Sequence, residues 1–287
     1  MILIDSWVCE ESGSQLWFYK TNASWLESET QEEIPVKING RILEQRATHW
    51  IQQELHPETY IQKNEFGKPE LVATGMESSP DKLQSILPYI NYSHTLLFQN
   101  NSNSNKSINS NPNINNPISK KDFGKECWVL WGTHKEKPIG VDVESVRPQI
   151  DKIKSKFCRP EEMVFANTSV KTLLIWSAKE AMYKAYGKKE IDFREQMMVH
   201  PFVGFSTDDQ LLDSDKLPES TSELSESTAF SHHTTDSSNS TSRQNSELQT
   251  IHFSGELWGD RHYYFDLFAR WYEPFVVVWA IESKSAH

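Results

Sequence analysis

Residues 139–144, Ile-Gly-Val-Asp-Val-Glu, alternate with period two, and a chain can satisfy that pattern only as a strand with two unlike faces. Ile139, Val141 and Val143 fall on one face; Gly140, Asp142 and Glu144 fall on the other, which sets the two carboxylates about 6.6 Å apart along the backbone. Downstream, Trp-Ser-Ala-Lys-Glu-Ala-Met-Tyr-Lys at 176–184 has the other period. As a helix it aligns Trp176, Glu180 and Lys184 on one stripe, beside a second stripe of Leu174, Ala178, Ala181 and Ala185 small enough for close packing. Gly187 is placed to cap it. The helix is expected over 170–186.

Each piece has an ordinary explanation. A D-x-E strand end is commonly a solvated sheet face, and Lys-Glu-x-x-x-Lys is commonly a surface ion-pair ladder of a few tenths of a kcal/mol. Two details argue for more. Gly140 removes a side chain beside Asp142, as a close approach to the backbone requires, and Trp176 is costly to leave on a wholly solvated stripe. Three carboxylates on two rigid elements, flanked by lysines, suit a divalent cation held against a phosphate.

The pair G-V-D-V-E and W-S-A-K-E-A-x-x-K resembles the paired signature of the 4′-phosphopantetheinyl transferases, which move the phosphopantetheine arm of coenzyme A onto a carrier-protein serine. Two further elements stand upstream in the same order. Asn64-Glu65-Phe66-Gly67-Lys68-Pro69 resembles the family's N-x-x-G-K-P, and Asn91-Tyr92-Ser93-His94-Thr95 resembles its N-x-S-H-S. The likeness runs from about Arg41 to the C-terminus outside two inserts.

Composition is compatible with such an enzyme. The 287 residues suffice for one large or two modest domains, and 37% hydrophobic content with 10 Trp and 14 Phe can build a core. No basic leader precedes a long apolar run, and the longest apolar run, 275–281, is far too short to span a bilayer; a cytoplasmic protein without membrane contact is expected. Cys9, Cys127 and Cys158 are odd in number and lack C-x-x-C spacing, which points to reduced packing residues. Residues 99–119 are Asn/Ser-rich and 213–247 are Ser/Thr-rich with acids, so both are expected to be disordered inserts. Seven acids against Lys216 and Arg243 give the second insert −5 of the chain's −11, so net charge marks no acidic functional face. It also argues against nucleic-acid binding. The paired His232 and His233 fall in the same insert.

An α+β fold follows from the interleaved patterns, with strands expected near 15–19, 68–73, 197–205, 250–258, 263–271 and 275–281 and a first helix over 41–55. The resemblance implies the surfactin-synthetase-activating, pseudo-dimeric type. It divides the chain into an N-terminal half, 1–136, with coenzyme A-binding elements, and a C-terminal half, 137–287, with the metal and catalytic motifs, related by an approximate two-fold. The implied protein is a monomer whose partners are coenzyme A and an apo carrier protein.

By the same resemblance Asp142, Glu144 and Glu180 hold Mg²⁺, whose oxygen cage Mn²⁺ also fits. Glu180 serves as base, and Lys184 meets the pyrophosphate. Lys68 and Pro69 hold the nucleotide end, with Lys68 aimed outward from an extended loop. Ser93 and His94 donate to phosphate oxygens, while Lys179, Arg41 and Arg46 complete the cofactor-binding set. His49 stands where many relatives carry an arginine. The implied activity is that of a holo-[acyl-carrier-protein] synthase releasing adenosine 3′,5′-bisphosphate. The alternatives are an impaired coenzyme A or carrier-binding module of the same fold, and a metal-dependent nuclease suggested by D-x-E with E-x-x-x-K. The nuclease leaves the G-K-P and S-H elements unexplained.

Overall fold

The computed structural model describes residues 1–22, 25, 40–74, 87–98, 125–147, 149–203 and 249–283; both expected inserts lie outside them. The fold is α+β, built on two main antiparallel sheets. In the first, β1 (Ile2–Cys9), β2 (Ser14–Asn22), β5 (Tyr89–Phe98) and β6 (Lys125–His134) take the order β1-β2-β6-β5. The second has β7 (Ile139–Ser145), β8 (Met197–Val199), β9 (Ile251–Trp258), β10 (His262–Tyr272) and β11 (Phe275–Glu282), in the order β7-β11-β10-β9-β8. A separate hairpin pairs β3 (Thr59–Lys63) with β4 (Pro69–Ala73). Helix α1 (Gly40–Leu55) precedes it, and the short α2 (Ile150–Ile153) and α3 (Pro160–Met163) lead to the long α4 (Ser169–Tyr186).

Alternation within the strands stacks these elements in layers. Cys127, Val129 and Trp131 of β6 face Leu43, Ala47 and Ile51 of α1. Leu130, on the opposite face, joins Phe18 of β2 against Val141, Val143, Val277 and Trp279 of the second sheet. Beyond that sheet, Leu174, Ala178, Ala181 and Ala185 of α4 pack with Val276, Val278 and Ala280 of β11. Large rings fill the inter-sheet layer, where Trp128 lies 4.4 Å from Phe275 and Phe268 stacks on Trp279 at 5.4 Å.

The sequence placed α4 to within a residue. Thr168 caps its start by accepting from the Lys171 N–H, and Gly187 ends it at φ 70°, donating to the Tyr183 carbonyl. Gly140 meets its expected close approach: a Cβ there would stand 1.9 Å from the Ala181 oxygen, so the alanine stripe rests directly on the strand. The strand expected over 197–205 stops at Val199, two residues before Pro201, which has no N–H for a ladder. The three cysteines are free and buried, with the Cys127 and Cys158 thiols pushed up to about 12, chiefly by burial.

Candidate active site

Strands β5 and β7 are edges of different sheets and lie side by side along the seam between them. Alternate residues of β5 fasten it to β7. Asn91 Oδ1 accepts the Val141 N–H at 3.2 Å, Ser93 Oγ donates to Asp142 Oδ1 at 2.9 Å, and Thr95 Oγ1 accepts from Arg147 at 3.3 Å. All three are buried, which costs little because each polar atom finds a partner across the seam. The upstream N-x-S element and the downstream D-x-E element are thus one structure.

Helix α4 completes it. The Lys184 ammonium donates to Asp142 Oδ1 at 2.8 Å, to Ser93 Oγ at 3.0 Å and to the Val141 carbonyl at 3.0 Å. Trp176 spans the other end, its indole beside Glu144 and easing that carboxylate's charge, while its ring packs 5.1 Å from Phe157 and 5.6 Å from Phe193. Trp176 is therefore half-buried, and its place on the Glu180 stripe has a structural cause.

The carboxylates are held at a cost. Burial first, and then the charge of Asp142, push Glu144 up to about 7, against the pull of Arg147 and Lys184. Glu180 is raised by burial and by Asp142, with Lys184 opposing. Asp142 is 3% exposed, and its Oδ2 has no hydrogen-bond partner among the described residues. One lysine does not balance three acids.

Other expected residues are placed differently. Ser93 and His94 point to opposite faces of β5, and His94 pairs through Nδ1 with Glu44 of α1 at 3.3 Å, its side chain 36% exposed. Partial burial lowers the His94 pKa, with Glu44 opposing and Lys184 adding to the fall. Arg41 and Arg46 are exposed on the same helix. Lys68 corrects the outward aim expected of it. Asn64 Oδ1 accepts the Phe66 and Lys68 N–H groups, Gly67 turns at φ 84°, and Lys68 then lies across Gly187 with its ammonium 3.1 Å from the Ala185 carbonyl. Burial lowers its pKa to about 8.

Lys179 is the second correction. It is fully buried, bonded to Glu162 at 2.7 Å and to the carbonyls of Phe157, Phe193 and Met197, so it ties segments together in the core and has no surface for a cofactor. The roles of Asn91, Glu44 and Arg147 were not read from the sequence. Only the 91/93/95 alternation in β5 could have signalled the first.

A cleft of about 260 Å³ opens beside this site, lined among others by Phe66, Lys68, Tyr89, Tyr186 and Lys188. Among the described residues no group of three or more His, Cys, Asp or Glu side chains is already gathered as a metal cage. The donor chemistry nevertheless fits a hard cation: the acids offer only oxygen, Asp142 keeps one buried oxygen unpartnered, and the Lys184 ammonium stands among three oxygens as a positive charge would.

Residues 138–216 match the family model of the 4′-phosphopantetheinyl transferase superfamily, which contains β7, α4 and therefore both downstream motifs. No curated protein matches the chain. The matched superfamily is one of transferases that move phosphopantetheine, with coenzyme A and a divalent metal in general use. Among the described residues no helix is long and apolar enough to cross a membrane.

Proposed function

We propose that this chain transfers 4′-phosphopantetheine from coenzyme A to a serine of an apo carrier protein, as a holo-[acyl-carrier-protein] synthase, with release of adenosine 3′,5′-bisphosphate. The observation that carries this reading is the three-way junction of Ser93, Asp142 and Lys184, which joins the upstream and downstream motifs in one place. A binding module has no need to crowd three acids there, one of them buried. Two sheets, each with a helix on its outer face, also suit the pseudo-two-fold, pseudo-dimeric arrangement and the division near residue 137.

Asp142, Glu144 and Glu180 would hold Mg²⁺, or Mn²⁺ in the same oxygen cage, which supplies charge neutralisation on the pyrophosphate when bound. Glu180, raised toward neutrality, takes the proton of the carrier serine as its oxygen bonds to the β-phosphorus. The bond from that phosphorus to the bisphosphate oxygen breaks, and the leaving group carries the electron pair. Lys184 exchanges Asp142 for a pyrophosphate oxygen and neutralises the charge that develops there. The cleft holding Lys68 and Lys188 beside Phe66 and Tyr89 suits the nucleotide end, with Pro69 fixing the hairpin that presents Phe66 and Lys68.

Incubation with coenzyme A, Mg²⁺ and a purified apo carrier protein tests the reading by mass spectrometry of the carrier. A gain of one phosphopantetheine, abolished by chelator and restored by Mg²⁺, is expected. An unmodified carrier, with coenzyme A bound by the protein, would establish the binding module instead.

A further inference from the structure

Hydroxyls inside helices normally bond to the carbonyl one turn back, and this chain follows that habit elsewhere. In α1, Thr48 Oγ1 donates to the Glu44 carbonyl at 2.8 Å; in α4, Thr172 Oγ1 donates to the Thr168 carbonyl at 2.9 Å. Ser177, one turn further along α4, does not. It is 0% exposed, and its Oγ has no hydrogen-bond partner among the described residues. A buried hydroxyl without a partner destabilises the fold, and the neighbouring positions 174, 178, 181 and 185 show that this face of the helix accepts alanine or leucine.

Helix geometry places Ser177 relative to the carboxylate cluster. At about 100° per residue it stands about 20° around the helix from Lys184, about 60° from Glu180 and about 40° from Ala181, between the catalytic stripe and the alanine stripe. The helix runs opposite to β7, because Gly140 meets Ala181 and Ala185 while Glu144 meets Trp176. Asp142 lies about 6.6 Å up the strand from Gly140 on the same face, at the level of the turn 177–181. The unpartnered buried acceptor at that level is Asp142 Oδ2. An orphan donor and an orphan acceptor thus stand at one level on two elements packed together.

We propose that Ser177 is a positioning residue for the carboxylate cluster, its hydroxyl donating to Asp142 Oδ2 when a divalent cation draws the carboxylates together. The assignment rests on the transferase reading above. Asp142 Oδ1 is already committed to Ser93 and Lys184, so a donor on Oδ2 fixes the carboxylate plane and leaves the one remaining lone pair of Oδ2 for the cation. Ser177 itself touches neither cation nor substrate.

Mn²⁺ binding to the full chain, followed by the electron paramagnetic resonance signal of free Mn²⁺, tests this apart from turnover. Ser177→Ala is expected to melt at the wild-type temperature or above, because it removes an unsatisfied group from the core, and yet to bind Mn²⁺ about 10-fold or more weakly, the usual effect of losing an outer partner of a metal ligand. Ser177→Cys, of similar shape but a weaker donor, is expected to fall between, and it keeps the comparison open if the alanine variant does not fold. Wild-type Mn²⁺ affinity in the folded variants overturns the assignment alone, as does a lowered melting temperature with unchanged affinity, which would make the hydroxyl structural. A wild-type chain that binds no Mn²⁺ overturns the cation reading and this assignment with it.

Discussion

Lys179 and Lys184 sit five residues apart on α4, each against a buried acid, and the two pairs are built to different ends. The Lys179 ammonium has Glu162 and three carbonyls within 3.0 Å, while Glu162 also accepts the N–H groups of Arg159 and Val199. Every hydrogen-bonding group there is answered, with nothing left to offer a ligand, and burial, the largest cause, lowers the Lys179 pKa against the pull of Glu162. The Lys184 cluster sets Lys184, with Arg147 nearer to Glu144, against Asp142, Glu144 and Glu180, and leaves a raised pKa on two of the acids and an unpartnered oxygen on the third. Completeness marks a structural pair; deficit marks a site that something else completes.

The largest effect expected from this contrast is on folding. Lys179→Met leaves Glu162 charged and buried without its partner, a change that typically costs about 3–5 kcal/mol. Chemical denaturation should show that loss, and the double variant Lys179→Met/Glu162→Gln should recover part of it. Turnover per folded molecule should change little. A stable Lys179→Met protein with no turnover would reverse the roles assigned to the two lysines.

At the other pair the effect moves from stability to rate. Asp142→Ala and Glu180→Ala should each lower turnover by about 10²–10³ or more. Glu180→Ala should melt at the wild-type temperature or above, since it removes a charge from a crowded cluster, whereas Asp142→Ala, which takes the acceptor from Ser93 and Lys184, should fold with a lowered melting temperature. A variant that unfolds while keeping its activity per folded molecule would show the acid to be structural. Gly140→Ala tests the platform shared by both pairs. With the added carbon 1.9 Å from a helix carbonyl, α4 must lift from β7, at a cost of about 1–3 kcal/mol and with turnover lost alongside.

How much of this was legible in sequence depended on whether periodicity or partnership carried the information. The period-two run at 139–144 and the period-four stripe at 176–184 place β7, α4 and their facing acids from sequence alone. Gly140 signalled its close approach for the same reason, because absence of a side chain is visible in sequence. Strand β6 was hidden because Cys127, Val129 and Trp131 are buried on one face and Trp128 and Leu130 pack on the other, which erases alternation. Lys179 and Lys184 look alike in sequence, and only the tertiary neighbours separate them: Glu162 arrives from α3, while Ser93 arrives from β5. Lys68 was misdirected for the same reason, its partner being a helix end more than a hundred residues away.

The smallest effect expected is also the most particular to the unbalanced cluster. Glu144 is raised from the ordinary 4.5 to about 7, so between those values the folded protein holds a proton that the unfolded chain has released. Stability must therefore fall as pH rises across that window, the reverse of what a salt-bridged acid gives. In chelator, the wild-type melting temperature should decline from about pH 4.5 to 7 more steeply than that of Glu144→Gln, which cannot ionise; at this chain size each kcal/mol corresponds to about 2–4 °C. A bound cation favours the ionised acid, so the stabilisation by added Mg²⁺ should grow with pH over the same window and be largest above it. The Lys179–Glu162 pair is common to both proteins and cancels from that difference. Parallel wild-type and Glu144→Gln curves, with or without Mg²⁺, would mean that Glu144 is as fully answered as Glu162, and the distinction between a finished pair and an unfinished site would fail at that residue.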